Sequence, residues 1–572
     1  MVRKVRLLTA IFAGFVFALP TLIFAGASSS PVRAKHGMVV SSHVLASQVG
    51  MKVLQNGGNA VDAAIATGYA LAVTLPGAGN IGGGGFMIVH SKDGQVRAFD
   101  FREKAPAAAH DRMFLDANGK YSAPINHEGY LAVGVPGTVA GFFLAHEKLG
   151  RKPMRELIAP AIELADKGFA VTWGLYDDLN YLANEFRQYP ASTQVFFKND
   201  KEVYQPGDVW KQPDLAKSLR RIQQNGRDGF YKGETARLLA ACMKKYGGLI
   251  TEKDLAEYEA RERTPIHGTY RGYDVYSMCP PSSGGTAIVE MLNLLEGFDL
   301  KAAGFGSAQH VHLLAESMRR AFADRARYVG DPDFNPDMPI SKLTSKEYAA
   351  QLRRGISLNR VSASDPVQFN EANESSETTH YSVVDAEGNA VVVTYTLEDW
   401  YGSKIVAEGL GFLLNNEMGD FNPQPGRTDS TGMIGTKPNL VAPGKRMLSS
   451  MTPTIIAKNG KPYMLTGSPG GRTIINTVLQ TIVNVIDFNM DISEAIAAPR
   501  VHHQWLPNTL VIEKFGVSPE TQRLLEMFGH RVRISGSSRS QGRAMGIIID
   551  PSTGLRHGAA DPRDDDGAAV GY

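Results

Sequence analysis

The apolar pattern of this chain changes character close to residue 378, and that change is the strongest constraint on its fold. Before it, apolar residues recur at helical spacing, and helices are predicted over 46–55, 60–74, 137–149, 154–167, 212–224, 235–246 and 307–329. Gly57-Gly58 separates the first two, and Asn59 is placed to cap the second. Beyond residue 378, apolar and polar residues alternate. Segments 381–384 and 390–396 flank the turn Asp385-Ala386-Glu387-Gly388-Asn389, 454–458 and 462–466 flank Asn459-Gly460, and 545–550 faces 555–559. Three hairpins are therefore predicted. Between the two regimes lies a soft polar stretch, 362–377, with little to bury, expected as an exposed loop or mobile tail.

At 572 residues the chain exceeds one compact core and has room for two lobes or one large domain. With 43% hydrophobic and 21% charged residues, it fits neither disorder nor a coiled coil. Lys+Arg number 60 against Asp+Glu 58, too even a balance for a phosphate-binding surface, so no nucleic-acid partner is expected. Arg3, Lys4 and Arg6 precede an apolar run, 7–25, and then Ala25-Gly26-Ala27. That order reads as a signal peptide over 1–27, and Pro20 and the small-residue site favour its removal over retention as an anchor. The expectation is an exported protein, periplasmic or secreted, with no stable membrane anchor. Cys242 and Cys279 read as two ordinary buried thiols, and no metal-ligand cluster is expected.

Some motif matches fail on context. Gly77-Ala78-Gly79-Asn80-Ile81-Gly82 fits a dinucleotide fingerprint, but a helix precedes it and the strand-like 86–90 follows, the reverse of what that motif needs. His146-Glu147 lacks the second histidine of a zinc pair. Thr378 carries more. A threonine hydroxyl becomes a useful nucleophile when an α-amine beside it serves as base, which requires the Glu377–Thr378 bond to break. On composition alone Thr378-Thr379 reads first as the start of a strand, where threonine is common. Ser468-Pro469-Gly470-Gly471 could aim backbone amides at an oxyanion or simply turn the chain. Arg102 could fork onto a carboxylate, Glu417 and Asp420 could hold an ammonium group, and Ser449-Ser450 could donate hydrogen bonds; each also has an ordinary surface or turn reading.

Taken together, 80–86 (NIGGGGF), 100–103 (DFRE), 134–141 (GVPGTVAG), 280–285 (PPSSGG), 378–384 (TTHYSVV), 413–417 (LLNNE), 448–453 (LSSMTP) and 467–471 (GSPGG) resemble the γ-glutamyltransferase, or glutathione hydrolase, family of N-terminal-nucleophile hydrolases. The resemblance runs from about residue 36 to the end and implies an α/β fold, a four-layer αββα sandwich. It implies a proenzyme cut between Glu377 and Thr378 into a large chain, 28–377, and a small chain, 378–572, that stay together as a heterodimer. Thr378 is then nucleophile and base, Thr396 holds its hydroxyl, and Gly470 and Gly471 form the oxyanion hole. Arg102, Ser449 and Ser450 would grip the donor's α-carboxylate, and Glu398, Glu417 and Asp420 its α-ammonium, at opposite sides of the zwitterion. The implied substrates are glutathione and related γ-glutamyl compounds, with water, amino acids or peptides as acceptors and no metal or organic cofactor.

Three positions depart from the family pattern. Residue 377 is glutamate where bacterial relatives often have glutamine, residue 398 is glutamate where many have asparagine, and Thr431 stands in the lid-like segment 425–439 where an aromatic gate is expected. The last departure predicts that hydrolysis is favoured over transfer. Two alternatives remain at this point: a cephalosporin side-chain acylase, and an exported binding protein whose maturation has failed.

Overall fold

The computed structural model describes residues 29–364, 378–426, 435–537 and 541–572. The expected signal peptide, Glu377 and Thr431 lie outside the described residues.

Two seven-stranded antiparallel sheets form the centre. Strands are numbered along the chain: β1 (Val32–Ala34), β2 (Met38–Ser41), β3 (Gly84–His90), β4 (Val96–Phe101), β5 (Arg261–Arg263), β6 (Ile266–Tyr270), β7 (Tyr273–Ser277), β8 (Thr379–Val384), β9 (Ala390–Thr396), β10 (Thr454–Lys458), β11 (Lys461–Gly467), β12 (Met545–Ile549), β13 (Arg556–Ala560) and β14 (Ala568–Gly571). The first sheet runs β1-β13-β12-β11-β10-β7-β6 and the second β14-β2-β8-β9-β3-β4-β5. The three expected hairpins are β8–β9, β10–β11 and β12–β13.

Alternation places the second sheet in the interior. Val39, Met87, Val89, Val383 and Val391 pack on one face against α1 (Val44–Gln55), α2 (Ala60–Thr74), α3 (Thr138–Leu149) and α4 (Met154–Lys167). Their neighbours Val40, Phe86, Ile88, Val384 and Val392 pack on the other face, toward the first sheet and the helices beyond it: α5 (Gly284–Leu295), α6 (Ala308–Tyr328) and α7 (Thr473–Ile486). Side chains on both faces are buried, so these strands are valine-rich rather than half polar. The order is helix, sheet, sheet, helix: an αββα sandwich.

Asn59 caps α2 as expected, in a reciprocal box with Asp62. The segment 77–82 leads from α2 into β3, as expected of a turn rather than a nucleotide fingerprint. Cys242 and Cys279 are both buried and unpaired with each other. The strand-rich region also begins earlier than the sequence pattern suggested: β1, β2, β4, β5, β6 and β7 all precede residue 378. Most are short, and β5 reads Arg261-Glu262-Arg263, so periodicity had little to register. No helix among the described residues is long and apolar enough to cross a membrane.

Candidate active site

Register brings the chemistry to one end of both sheets. Thr379 pairs with Tyr395 and Thr396 with Gly84, while Gly85 pairs with Phe101, so Thr378, Thr396, Gly84 and Arg102 share one end of the second sheet. At the same end of the first sheet, Thr454 pairs with both Ser277 and Thr466. Glycine at 83 permits the approach, because a Cβ there would lie 2.0 Å from the Thr396 carbonyl oxygen. Asn415 locks the rim: its Nδ2 donates to the carbonyls of Gly82 and Gly134, both at 2.8 Å.

A cavity of about 250 Å³ opens there, lined by Thr378, Thr396, Arg102, Glu398, Glu417, Asp420, Ser449, Ser450, Met451, Gly471 and Ile474. The Thr378 hydroxyl donates to Thr396 Oγ1 at 3.3 Å, and Thr396 Oγ1 also accepts the Glu398 N–H at 2.9 Å. Gly470 stands just behind the lining, at φ +128°, with Gly471 at φ +52°. A side chain at Gly470 would be strained and would meet Thr473 Oγ1 at 2.4 Å. The pair turns the chain from β11 into the N-terminus of α7, where unpaired amides and the helix dipole favour negative charge. A larger groove, about 1080 Å³, lies between α1 and α4, but no hydroxyl or thiol lines it.

Arg102 is fully buried and its guanidinium forms ion pairs with Glu417 and Asp420, with Glu103 3.6 Å away. It also donates to the carbonyls of Met447 and Leu448, at 3.3 and 3.1 Å. The cationic and anionic groups expected at opposite sides of a zwitterion are therefore in direct contact. The reason is electrostatic: a buried guanidinium is costly unless it is paired, and Glu417 and Asp420 supply the partners. Burial would lower the Arg102 pKa, but Glu417, Asp420 and Glu103 raise it, so it stays charged. Burial raises the Glu103 carboxyl to about 7. Burial also holds Glu417 well above the carboxylate range in spite of Arg102, and Glu398 likewise, with Asp399 and Asp420 adding to the rise. One guanidinium thus pairs with three acids, and burial favours the protonated form of Glu103 and Glu417.

A sequence profile of the family described as Gamma-glutamyltranspeptidase matches residues 46–571. The chain belongs to the γ-glutamyltranspeptidase family. Over 544 residues it is 50% identical to a glutathione hydrolase proenzyme of Escherichia coli (strain K12), covering 95% of this chain and 93% of that one. It is 37% identical to an acylase ACY 1 proenzyme of Pseudomonas sp. (strain SE83), covering 93% and 92%. Among solved structures, a cephalosporin acylase from Bacillus halodurans superposes with a TM-score of 0.83 at 27% identity, over 98% of this chain and 99% of that one.

Several residues of this γ-glutamyltranspeptidase-family site escaped the linear reading. Arg325 on α6 donates to Ser450 Oγ at 3.0 Å and to Ser283 Oγ at 2.8 Å, and Ser283 in turn donates to the Ser449 carbonyl at 2.7 Å. The PPSSGG stretch was the only trace of this buttress. Tyr258 fixes the Arg102 backbone by donating to its carbonyl at 2.8 Å. His127 lies with Nδ1 3.5 Å from Glu398 Oε1, and nothing in its sequence neighbourhood marks it. Of the expected residues, Glu377 and the centre of the lid lie outside the described residues.

Proposed function

We propose that this protein is a self-processing γ-glutamyltransferase and glutathione hydrolase. The observation that carries the reading is one cavity uniting the Thr378 hydroxyl, the Gly471 turn, and Arg102 with its acids. Cutting before Thr378 frees an α-amine beside the hydroxyl, supplying the base a threonine nucleophile needs. Oγ1 attacks the γ-carbonyl of the donor; backbone amides at Gly470 and Gly471 take the developing oxyanion; the amine passes its proton to the leaving nitrogen. The γ-glutamyl ester is then opened by water or by an amino acid or peptide amine.

These ion pairs explain donor selection. A γ-glutamyl group presents a carboxylate and an ammonium on one carbon, so it inserts between Arg102 and its partners without changing net charge. Its carboxylate takes guanidinium donors, helped by Ser449 and Ser450, and its ammonium takes Glu417, Asp420 and Glu398. Both clamps then hold the γ-carbonyl at the nucleophile. Donors without this charge pair cannot replace the ion pairs they would have to break around Arg102, which disfavours the cephalosporin acylase reading. The large (28–377) and small (378–572) chains remain together as a heterodimer. The basic-apolar leader directs export to the periplasm or medium, and hydrolysis outruns transfer.

Intact-mass measurement on the purified protein and on Thr378→Ala tests the reading. The expected result is two fragments meeting between Glu377 and Thr378 in the wild type, a single chain in the variant, and glutamate release from glutathione by the wild type alone. An uncut wild-type chain would overturn it and favour the binding-protein alternative.

A further inference from the structure

Beside the donor cavity, His127, Glu398 and Asp399 each offer one ligand atom, and these atoms all lie within 4.8 Å of one another. Glu398 lines the cavity, whereas His127 and Asp399 stand outside its wall. The His127 Nδ1 to Glu398 Oε1 distance is 3.5 Å. Two ligands of a tetrahedral ion with bonds of ~2.0–2.1 Å sit ~3.3–3.4 Å apart, so this spacing already suits zinc. One imidazole nitrogen and two carboxylates with a position left open is a zinc-type donor set rather than a calcium or magnesium one.

The surroundings hold these groups in place. Asn416 binds two of the three residues at once: its Nδ2 donates to the His127 carbonyl and to Asp399 Oδ2, both at 3.1 Å, and its Oδ1 accepts the Asp399 N–H at 3.1 Å. The imidazole packs on Gly419, where a Cβ would come within 2.4 Å of Nδ1. Asn126 backs the far edge of the ring. It is buried, its Nδ2 lies 3.4 Å from His127 Nε2, and the same Nδ2 donates to Tyr121 Oη at 3.3 Å and to the Gly419 carbonyl at 3.4 Å. The imidazole is thus held between Gly419 and this amide with Nδ1 facing Glu398.

We propose that His127, Glu398 and Asp399 form a site for one zinc-type divalent cation at the edge of the donor cavity, and that the bound ion competes with the donor's ammonium for Glu398. The ion inhibits; it takes no part in the reaction. The metal site stands on its own geometry, and the competition rests on the donor reading above. Glutamate at 398 is the residue that makes the site, because the asparagine common at this position would withdraw an anionic ligand. Lys404 Nζ, 3.7 Å from Asp399 Oδ2, places positive charge beside the site and opposes the ion.

Calorimetric titration of zinc chloride into the purified, tag-free protein tests this. One equivalent is expected to bind, about tenfold or more weakly in His127→Ala and more tightly in Lys404→Gln. A misfolded variant does not gain affinity, so the opposed shifts separate a site from general damage. Saturating glutamate is expected to weaken zinc binding. Absence of stoichiometric zinc binding, or equal affinity in wild type and His127→Ala, overturns the site. Glutamate that binds yet leaves zinc affinity unchanged overturns the overlap. Failure of glutamate to bind overturns the donor reading and the overlap with it, and leaves a His127-dependent zinc site standing.

Discussion

Two buried ion clusters in this protein have opposite charge balance. Around Arg500 and Arg563, two guanidiniums meet two carboxylates: Arg563 pairs with Glu513 at 2.6 Å and with Asp561 at 3.1 Å, and Arg500 pairs with Asp561. The remaining acceptors are taken by backbone, with Ala544 N–H on Asp561 at 2.7 Å and Arg500 N–H on Glu513 at 3.0 Å. Burial alone would raise the Asp561 pKa, but the two guanidiniums carry it below its usual value. Around Arg102, three acids meet one guanidinium, and burial holds Glu103 and Glu417 above their usual pKa. The first cluster is a closed fastener between the 496–500 segment and the end of the chain. The second favours protons on its buried acids.

Disturbing the balance should therefore cost stability in one place and function in the other. Asp561→Asn leaves two buried guanidiniums with one acid and is expected to lower unfolding stability by about 3–5 kcal/mol, measured by denaturant titration. An effect below about 1 kcal/mol would contradict the fastener. Glu417→Gln removes one acid from the surplus, so stability should move by less than about 1 kcal/mol while KM for glutathione rises about tenfold. A large loss of stability with KM unchanged would show that the Arg102 cluster is structural after all.

The contrast also has a pH signature. Glu103 titrates at about 7 in the folded protein against 4.5 ordinarily, so the folded state holds a proton that the unfolded chain gives up. Its stabilisation is complete below the ordinary value and is lost as pH rises through about 7. Asp561 has the opposite sign: its contribution is present above its ordinary value and disappears as pH falls through the lowered one. Tm of the wild type relative to Glu103→Gln is expected to fall between about pH 5 and about pH 8, a difference that cancels the opposite contribution of buried histidines such as His43, His310, His502 and His530. A difference that does not change with pH would count against the proton-loaded site. The smallest effect belongs to Glu398, which holds φ +84° in the left-handed region. Asparagine tolerates that backbone better, so Glu398→Asn should raise stability by up to about 1 kcal/mol while abolishing zinc binding.

The residues singled out by the resemblance come in short contiguous motifs at strand ends, and Thr378, Thr396, Gly471, Arg102 and the 417–420 turn meet at one cavity. Taken singly, each also had an ordinary strand, turn or surface reading. The balance of charge was not legible, because contact between Arg102 and Glu417 spans more than three hundred residues and no spacing encodes it. Arg325 was hidden for a related reason: on a long helix rich in arginine, only the fold distinguishes the one that reaches Ser450 from those that pair with Glu316. The long helices were visible because each buries a full stripe, as Met154–Lys167 does with Leu157, Ile158, Ala161, Ile162 and Ala165. The edge strands were not, since three to five residues give too few alternations to stand out.

Strand order makes the two prospective chains inseparable. In the second sheet, β2 from before residue 378 lies between β14 and β8 from after it, and β9 from after it borders β3 from before it. In the first, β1 borders β13 and β7 borders β10 across the same divide. A backbone break before Thr378 therefore leaves two woven partners, each supplying strands to both sheets. They can part only by global unfolding, and reassembly would then depend on the concentration of two strangers rather than on one tethered chain. With the proposed cut made, the precursor would be a disposable template, and the lifetime of its product would be set by its unfolding rate.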